Sequence, residues 1–304
     1  MSSFGLNKLN VIGIIVTFDP QIDPISSVTQ ILDSLSHLII VDNCPGNHPL
    51  LGNFGCSEKV SIIKNSNIGG LAGAYNAALS TVELEHPEAT HILYLDDDTD
   101  MASVREFLGS KNTAMLANDP KVAAVAPIYV ERTTGLRCAP IMLNRFSYKM
   151  FPRTLSNPTQ VSFLINSMSL WRVDAIRRIG KYSTVLAVDH IDTDYCLRAA
   201  LHGYQLVIDP TLSFNHSIGK RRSYTLLGKT LQSGGHSPAR RRMIARNTVL
   251  LAKRYGWNYP SFAFLCLMRL CYEVVGITIA EDESVPKLSA TFKGALSGMF
   301  GRYR

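Results

Sequence analysis

The fold of this chain is decided by one stretch of sequence, His91-Ile92-Leu93-Tyr94-Leu95-Asp96-Asp97-Asp98-Thr99-Asp100. Its first five residues are mostly apolar and β-prone, which predicts a buried strand that ends in a run of carboxylates. In open α/β sheets, ligands bind at the carboxyl ends of the strands. If the chain turns after the strand, Asp96 and Asp98 converge on one hard cation, Mg²⁺ or Mn²⁺. A solvated acidic turn is the alternative.

Composition and charge limit the classes of function. The chain has 304 residues, of which 46% are hydrophobic, so it is globular, with one large α/β domain or two small ones. A net charge of +7 indicates an anionic partner, which would be a nucleotide, a nucleic acid or an acidic membrane surface. Residues 217–254 hold ten Lys or Arg and no acidic residue, and we expect the anion to bind there.

The cysteines and the apolar segments suggest a location. The six cysteines show no metal-finger spacing and are interpreted as reduced, buried thiols of a cytosolic protein. The first ten residues do not have the pattern of a secretory signal. Arg269 and Glu273 lie inside the apolar stretch 261–280, which argues against a clean transmembrane span.

Strands and helices alternate in the first 100 residues. This alternation predicts a parallel, doubly wound sheet with right-handed crossovers and one cleft at the carboxyl edge. The expected strands are 11–18, 37–41, 59–64 and the one that ends at Asp96, with helices at 23–36 and 72–85. Further along, we expect strands at 122–130, 163–171 and 205–208, helices at 173–179, 189–202, 239–255 and 262–275, an irregular segment at 131–160 and a loop at 217–236.

Two further segments have the composition of a binding site. Asn65-x-Asn67-x-Gly69-Gly70-x-x-Gly73-x-x-Asn76 is a glycine-rich loop that runs into a helix, where a backbone can approach an anionic ligand closely; a plain turn is the alternative. The segment 189–198 holds three carboxylates within six residues. On a helix, Asp189 and Asp192 would share a face, or the acids would cap the helix, and Arg198 could pair with Asp194. His216 is either a third metal ligand or a structural histidine.

Six motifs occur in a characteristic order: V-T-F at 16–18, V-D-N at 41–43, N-x-G-G-x-x-G-x-x-N at 67–76, L-D-D-D at 95–98, D-x-x-D-x-D-x-x-x-R at 189–198 and H-S-P-x-R-R-x-x-x-x-R-N at 236–247. Together they resemble the family 2 glycosyltransferases with the GT-A fold, over about residues 10–300. The last motif is similar to that of bacterial rhamnosyltransferases that use dTDP-L-rhamnose. The resemblance implies a Rossmann-like, mostly parallel sheet flanked by helices and followed by a helical C-terminal extension. The catalytic domain would be 1–255, with a nucleotide-sugar half at 1–130 and an acceptor half at 131–255, and the extension would be 256–304.

The resemblance also implies roles for single residues. Asp96 and Asp98, with His216, would hold the Mg²⁺ or Mn²⁺ ion. Asp192 would be the catalytic base; because Ile191 stands before it where many family members have Glu, Asp189 is the second candidate. Donor-binding residues would be Thr17, Asp42, Asn67, Gly69, Gly70, Asp96, Arg198, Arg240 and Arg246, among which Arg198 would orient the acidic helix.

The activity implied is inverting transfer of a sugar, L-rhamnose from dTDP-L-rhamnose, onto a hydroxyl of a bacterial surface polysaccharide or lipid-linked glycan precursor. The enzyme would lie in the bacterial cytoplasm and would not bind nucleic acid. Its C-terminal extension would contact the inner face of the plasma membrane or form a homodimer. Two other classes remain open, a sugar-phosphate nucleotidyltransferase and a basic nucleic-acid-binding protein without enzymatic activity.

Overall fold

The structure, a computed structural model, describes residues 9–19, 28–46, 58–217, 222–226 and 229–303. The chain divides into two compact units. The first unit comprises residues 1–140 and 151–216, and the second comprises residues 141–150 and 217–304. This structural division falls near residue 216, whereas the sequence suggested a functional division near residue 255.

The elements follow one another in a mixed α/β order. The described strands are β1 Val11–Thr17, β2 His37–Asp42, β3 Val60–Lys64, β4 His91–Asp96, β5 Val122–Glu131, β6 Ile141–Leu143, β7 Tyr148–Met150, β8 Thr159–Val161, β9 Ser169–Arg172, β10 Gln205–His216, β11 Arg222–Leu226 and β12 Lys229–Ser233. The described helices are α1 Gly70–Glu85, α2 Met101–Gly109, α3 Lys111–Ala117, α4 Val173–Ile179, α5 Ile191–Leu201, α6 Pro238–Tyr255, α7 Pro260–Ala280 and α8 Ser284–Phe300, with a 3₁₀ helix at Thr29–Ser34.

The core of the first unit is a sheet of eight described strands in the order β3-β2-β1-β4-β9-β5-β10-β8. Neighbouring pairs β1/β2, β1/β4, β2/β3 and β5/β10 are parallel, while β9 runs antiparallel to both β4 and β5. β1, β2 and β4 are continuous apolar runs that are buried almost throughout, as strands covered on both faces require. The expected mostly parallel sheet is thus confirmed, although the inserted β9 makes it mixed.

Three expected elements differ from the structure. Only Ser169–Arg172 of the expected strand 163–171 pairs with neighbours; residues 163–168 form a loop before it. The expected loop 217–236 contains the antiparallel hairpin β11–β12. The expected helix 23–36 lies largely outside the described residues, and its described end is the 3₁₀ helix. Short strands carry too few residues for periodicity to show, which is why the sequence placed the start of β9 too early and did not reveal the hairpin.

The second unit contains two hairpins, β6–β7 and β11–β12, and the helices α6, α7 and α8. α8 packs closely along α6: a Cβ added at Gly294 would lie 2.1 Å from the Arg242 carbonyl oxygen, and one at Gly298 would lie 2.5 Å from that of Arg246. α7 is long and apolar enough to cross a membrane by length and composition, with only 22% of its apolar window buried. Length and composition alone are weak evidence for a span, so the expectation drawn from Arg269 and Glu273 is not contradicted.

The cysteines are free thiols at all described positions. Cys44, Cys196 and Cys266 are buried, as expected. Cys138 is half-buried and Cys271 is exposed, so the expectation that the thiols are buried is wrong for these two. Cys56 lies outside the described residues.

Candidate functional site

The parallel strands of the first unit end in polar residues at one edge of the sheet. β4 ends at Asp96 and β10 at His216. Because β9 is antiparallel to both β4 and β5, and β10 is parallel to β5, β4 and β10 run in the same direction. Their carboxyl ends therefore lie at the same edge, with β9 and β5 between them, as the sequence predicts for a binding cleft.

The chain turns directly after Asp96. Its backbone N–H donates to Thr99 Oγ1 at 2.9 Å, and the Thr99 N–H donates back to the Asp96 carbonyl at 3.2 Å. Asp96 Oδ2 lies 3.6 Å from His216 Nδ1. Burial raises the pKa of the Asp96 carboxyl, a shift that His216 opposes and that the negative charge of Asp98 increases. Burial and the charges of Asp96 and Asp98 raise the pKa of Asp97 to about 6. This concentration of negative charge favours a cation at the turn.

Asp96 and His216 fit one divalent cation as a pair. A separation of 3.6 Å between a carboxylate oxygen and an imidazole nitrogen suits two ligands of the same ion. Over the described part of the chain, however, no three His, Cys, Asp or Glu side chains come together as a metal-binding group. The structure thus brings together two of the three predicted ligands. Asp98, which is exposed, does not join them in one cluster, and its role stays a prediction.

His216 reaches the site because β10 is longer than the sequence suggested. The expected strand 205–208 continues to residue 216, with an irregularity in its pairing between Asp209 and Ser213. The pairing then resumes, and His216 lies opposite Glu131. The imidazole packs near the rings of Tyr129 and Phe214, at centroid distances of 6.0 and 6.1 Å. These contacts fix the ring at the edge.

Thr17 and Asp42, the predicted nucleoside contacts, end the neighbouring strands β1 and β2. Thr17 is fully buried, and its Oγ1 donates to the Val41 carbonyl at 3.4 Å. The Asp42 carboxylate accepts from Lys64 Nζ at 2.6 Å and from the Cys44 N–H at 3.0 Å. Burial acts to raise the pKa of Asp42, but these two donors outweigh burial and lower it. Both side chains therefore hold the strand ends together, and their contact with a nucleoside stays a prediction.

Three amides link the loop after β2 to the glycine-rich loop after β3. Asn65 Nδ2 donates to Asn43 Oδ1 at 2.7 Å and to the Ile68 carbonyl at 3.0 Å. Asn43 Nδ2 donates to Asn67 Oδ1 at 3.3 Å. Asn67 has a positive φ of 59°, which Asn tolerates better than most residues. Its exposed position keeps Asn67 available for the predicted donor contact.

Gly69 and Gly70 are required by a close approach between two backbone segments. Their φ angles are +70° and +66°, and a Cβ added to Gly70 would lie 2.7 Å from the Ala187 carbonyl oxygen. That carbonyl accepts a hydrogen bond from the Ala72 N–H at 3.0 Å. The sequence suggested close approach to a ligand, but the observed neighbour is the segment that leads to Asp189. The glycines therefore place the predicted catalytic segment beside the donor loop.

Asp189 lies before α5 and not within it. The helix begins at Ile191, with His190 as N-cap at φ 69°, so the expected common helical face for Asp189 and Asp192 is wrong. Asp192 lies in the first turn, and its Oδ1 accepts from the Thr193 N–H at 2.7 Å. A carboxylate there is stabilised by the positive end of the helix dipole. Asp192 is half-buried, which leaves part of its carboxylate accessible.

Asp194 and Arg198 hold this helix in place. Asp194 is fully buried and pairs with Arg198 Nε at 3.0 Å, so the pairing expected at i and i+4 is confirmed. Arg198 Nη1 also donates to the carbonyls of Ile179 at 3.0 Å and Lys181 at 2.9 Å. These contacts agree with an orienting function for Arg198. A direct contact of Arg198 with the donor stays a prediction.

Tyr75, which sequence reasoning missed, connects the two acidic clusters. Burial raises its pKa well above the usual value, and the negative charges of Asp96 and Asp192 raise it further. Both carboxylates therefore lie close enough to act on the same buried hydroxyl. The ring of Tyr75 packs against Tyr94 in β4 at 4.9 Å and against Tyr182 at 5.1 Å. Asp96 and Asp192 thus both act on the buried Tyr75, while the shared cleft that the predicted function requires stays a prediction.

A second missed element is the loop before β9. Met168 N–H donates to the Tyr94 carbonyl at 2.9 Å, and Met168 has a φ of 59°. Ser167 lies beside Asp96 and acts to lower the pKa of its carboxyl. The sequence predicted a strand here because residues 163–171 are mostly apolar. Only the Asn166-Ser167 pair within the run could have signalled a turn.

Arg240 and Arg246, predicted to face the diphosphate, lie on α6 of the second unit. Arg240 is exposed, and Arg246 Nη1 donates to Asn247 Oδ1 at 2.9 Å. Ser237 caps the helix by accepting from the Arg240 N–H, and Pro238 occupies its first turn. Much of the motif at 236–247 thus forms a helix start. The diphosphate contact of both arginines stays a prediction.

Comparison with known proteins gives one relative by sequence and several by structure. The chain is 26% identical over 248 residues to the dTDP-rhamnosyl transferase RfbF of Shigella flexneri, covering 81% of this chain and 80% of that protein. No protein-family model matches. A structure of GalNAc-T7 with UDP, GalNAc and Mn²⁺ superposes with a TM-score of 0.52 at 14% identity, over 79% of this chain and 47% of the other. S. aureus TarS superposes with a TM-score of 0.44 at 13% identity, over 97% and 44%.

Fold and sequence similarity together define the class of protein. The likeness to GalNAc-T7, of which this chain spans about half the length (47%), shows the GT-A fold. The similarity to RfbF extends over most of both chains. Both similarities support glycosyltransferase activity for this chain. The sequence similarity to RfbF and the shared fold agree with the resemblance of its motifs to the family 2 glycosyltransferases of the GT-A fold.

Proposed function

We propose that this enzyme is an inverting rhamnosyltransferase, which moves L-rhamnose from dTDP-L-rhamnose onto a hydroxyl of a bacterial surface polysaccharide or lipid-linked glycan precursor. The donor is inferred from the similarity to a dTDP-rhamnosyl transferase. The observation that supports the mechanism is the pair Asp96–His216 at 3.6 Å, together with the close approach of the segment that leads to Asp192 to Gly70 of the glycine-rich loop. A leaving-group site and a base can therefore act on one substrate pair. We place the enzyme in the bacterial cytoplasm.

The leaving diphosphate would bind at the turn after β4. Asp96 and His216, with Asp98 as the third ligand, would hold Mg²⁺ or Mn²⁺. When bound, the ion neutralises the charge that develops on the departing diphosphate. Asn67, Gly69 and Gly70 would contact the sugar or phosphates, and Thr17 and Asp42 the nucleoside. Arg240 and Arg246 would add positive charge at the diphosphate.

Asp192 would take the proton of the acceptor hydroxyl. An alcohol has a high pKa and attacks efficiently only when a positioned carboxylate accepts its proton. Asp192 is held by α5, which the Asp194–Arg198 pair ties to the segment after α4. Asp189, on the segment packed against Gly70, is the second candidate. One base opposite the leaving group gives a single displacement, and therefore inversion without a covalent intermediate.

A panel of sugar nucleotides tests this proposal. Thermal unfolding of the full chain would be measured with each donor, with and without Mg²⁺ or Mn²⁺. We expect dTDP-L-rhamnose with a divalent ion to give the largest increase in unfolding temperature, because a ligand that binds only the folded state stabilises it by mass action. A larger increase with another donor would contradict the assigned sugar. NMR analysis of the anomeric configuration of the product tests inversion.

A further inference from the structure

The outward face of α7 is apolar along its whole length. The solvent-exposed apolar residues on this face are Phe264, Leu267, Met268, Tyr272, Val274, Val275 and Ile279. At 3.6 residues per turn they occupy an arc of roughly 160°. All residues of α7 are described, and none within this arc is charged. We call this surface the α7 face.

The opposite side of α7 packs within the second unit. Phe262, Cys266, Gly276 and Ile277 are buried, and Glu273 pairs with the buried Arg241. A helix that crosses a bilayer alone would have lipid on all sides, whereas α7 has protein on one side. This arrangement is that of a helix lying in a membrane surface.

α8 presents a second apolar surface. Its exposed residues Val285, Phe292, Leu296, Met299 and Phe300 also follow one side of the helix, with the exposed Lys293 beside them. Gly294 and Gly298 on the opposite side allow close contact with α6. A soluble monomer rarely leaves apolar patches of this size in water, so another surface is expected to cover them.

Charge is divided unequally between the two units. The second unit has seventeen Lys and Arg against four Asp and Glu, a net charge of +13, and the first has fourteen against twenty, a net charge of −6. Two copies meeting through their second units would bring like charges together. An anionic lipid surface instead offers both an apolar layer for the helices and negative charge for the Lys and Arg side chains.

We propose that the α7 face and the exposed side of α8 bind the surface of a lipid bilayer that contains anionic lipids. α7 is 21 residues long and would lie parallel to the bilayer plane, with its inner side kept on the protein. The proposal concerns the second unit and does not depend on which donor or base the enzyme uses. It can therefore fail while the proposed transfer reaction stands, and the reverse is also true.

Vesicle flotation of the full chain tests the proposal. We expect the wild type to float with phosphatidylglycerol-rich vesicles, to float less with pure phosphatidylcholine vesicles, and to be released in part by salt, because the charge contribution is screened. The double variant Leu267→Glu/Val275→Glu should lose roughly tenfold or more of the vesicle-bound fraction. Its matched control is Leu84→Glu/Met115→Glu, which changes two exposed apolar residues of the first unit and should float like the wild type.

The proposal is overturned if the wild type does not float with anionic vesicles, or if the α7-face variant floats as well as its control. It is also overturned if light scattering shows a wild-type dimer that the α7-face variant dissociates, because a second copy would then cover the face. If the variant does not fold, the exposed Cys271 provides another measurement. A fluorophore signal present in the labelled wild type but absent from labelled Cys271→Ser should be quenched by brominated lipids, and no quenching would also overturn the proposal.

Discussion

Several side chains at the carboxyl edge of the sheet already form hydrogen bonds or ion pairs with other groups of the protein. The Asp42 carboxylate is engaged by Lys64, and Arg198 is fixed by Asp194 and two carbonyls. Asp96 and His216 differ from these because they pair only loosely, at 3.6 Å. Such a gap suits a bridging ion better than a direct ion pair. Residues with close partners therefore position the site, whereas Asp96 and His216 are better placed to bind a ligand.

His216→Ala tests the metal pair. We expect the affinity for the nucleotide in the presence of Mn²⁺ to fall about 10- to 100-fold, because one ligand is lost, while affinity without the ion changes little. Calorimetric titration of dTDP with and without Mn²⁺ would measure both. His202→Ala, which alters an exposed histidine at the end of α5, is the control. Equal metal-dependent affinities for the two variants would show that His216 is not a ligand.

Gly70→Ala tests the close approach that sets the predicted catalytic segment beside the predicted donor loop. The φ of +66° costs an Ala residue about 1–2 kcal/mol, and the contact at 2.7 Å with the Ala187 carbonyl oxygen adds to this cost. We therefore expect lower stability in urea unfolding, together with weaker donor binding. Gly109→Ala is the control, since a Cβ there meets nothing within 4 Å. A Gly70→Ala protein as stable as the control would contradict the account.

The sequence predicted the site residues that end long strands, but it did not predict the residue that precedes a short strand. Asp96 and His216 end β4 and β10 and were predicted to lie together. Ser167 precedes β9, which has four residues, and its position at the site depends on an antiparallel pairing that no periodic pattern announces. Tyr75 was missed for a different reason, because an aromatic residue on a helix is ordinarily interpreted as core.

At the level of elements, long apolar runs revealed β1, β2 and β4, since strands buried on both faces need no polar alternation. The expected bounds of α4, Val173–Ile179, agree with the structure. The hairpin β11–β12 was interpreted as a loop because its Gly, Ser and basic composition resembles one. In α8, the glycines that permit contact with α6 cannot be told apart, by sequence alone, from glycines that merely destabilise a helix.

Gly294→Ala tests the packing of α8 on α6. In an exposed helix, Gly→Ala stabilises by about 1 kcal/mol because Ala restricts the unfolded chain and favours the helix. Here the added Cβ would lie 2.1 Å from the Arg242 carbonyl oxygen, so we expect the sign to reverse and the free energy of unfolding to fall. Gly109→Ala again serves as control in chemical denaturation. A stabilising effect of Gly294→Ala would mean that the two helices do not pack as described.

At the level of the whole molecule, the second unit is organised around a buried ionic network. Glu281 accepts hydrogen bonds from Ser233, from Arg241 and from the Gly235 N–H at 3.0 Å, and it forms an ion pair with Lys287 Nζ at 3.0 Å. Burial acts to raise the pKa of Glu281, but these donors outweigh burial and lower the pKa to about 2. Because a buried network tolerates loss of one partner poorly, this carboxylate links the hairpin β11–β12 to α6 and α8.

Acid unfolding tests this network. A carboxyl whose folded pKa is about 2, against 4.5 in its ordinary state, contributes stability that is present above pH 4.5 and is lost as pH falls towards 2. We expect Glu281→Gln to lower stability at neutral pH by about 3 kcal/mol, because Arg241 loses a charged partner, and to reduce the dependence of stability on pH in that range. Circular dichroism against pH measures both. The control is Glu283→Gln at an exposed position, and an identical pH profile for both variants would contradict the assignment.

The central claim is that a leaving-group site at Asp96 and a base at Asp192 act in one hollow, and Asp192→Asn tests it most directly. Transfer and donor affinity would be measured on the same preparation, with Asp189→Asn alongside. The account predicts that Asp192→Asn keeps wild-type affinity for the donor with its divalent ion but loses transfer by about 10²- to 10⁴-fold, the usual contribution of a general base, whereas Asp189→Asn retains most activity. Near-normal transfer by Asp192→Asn would contradict it.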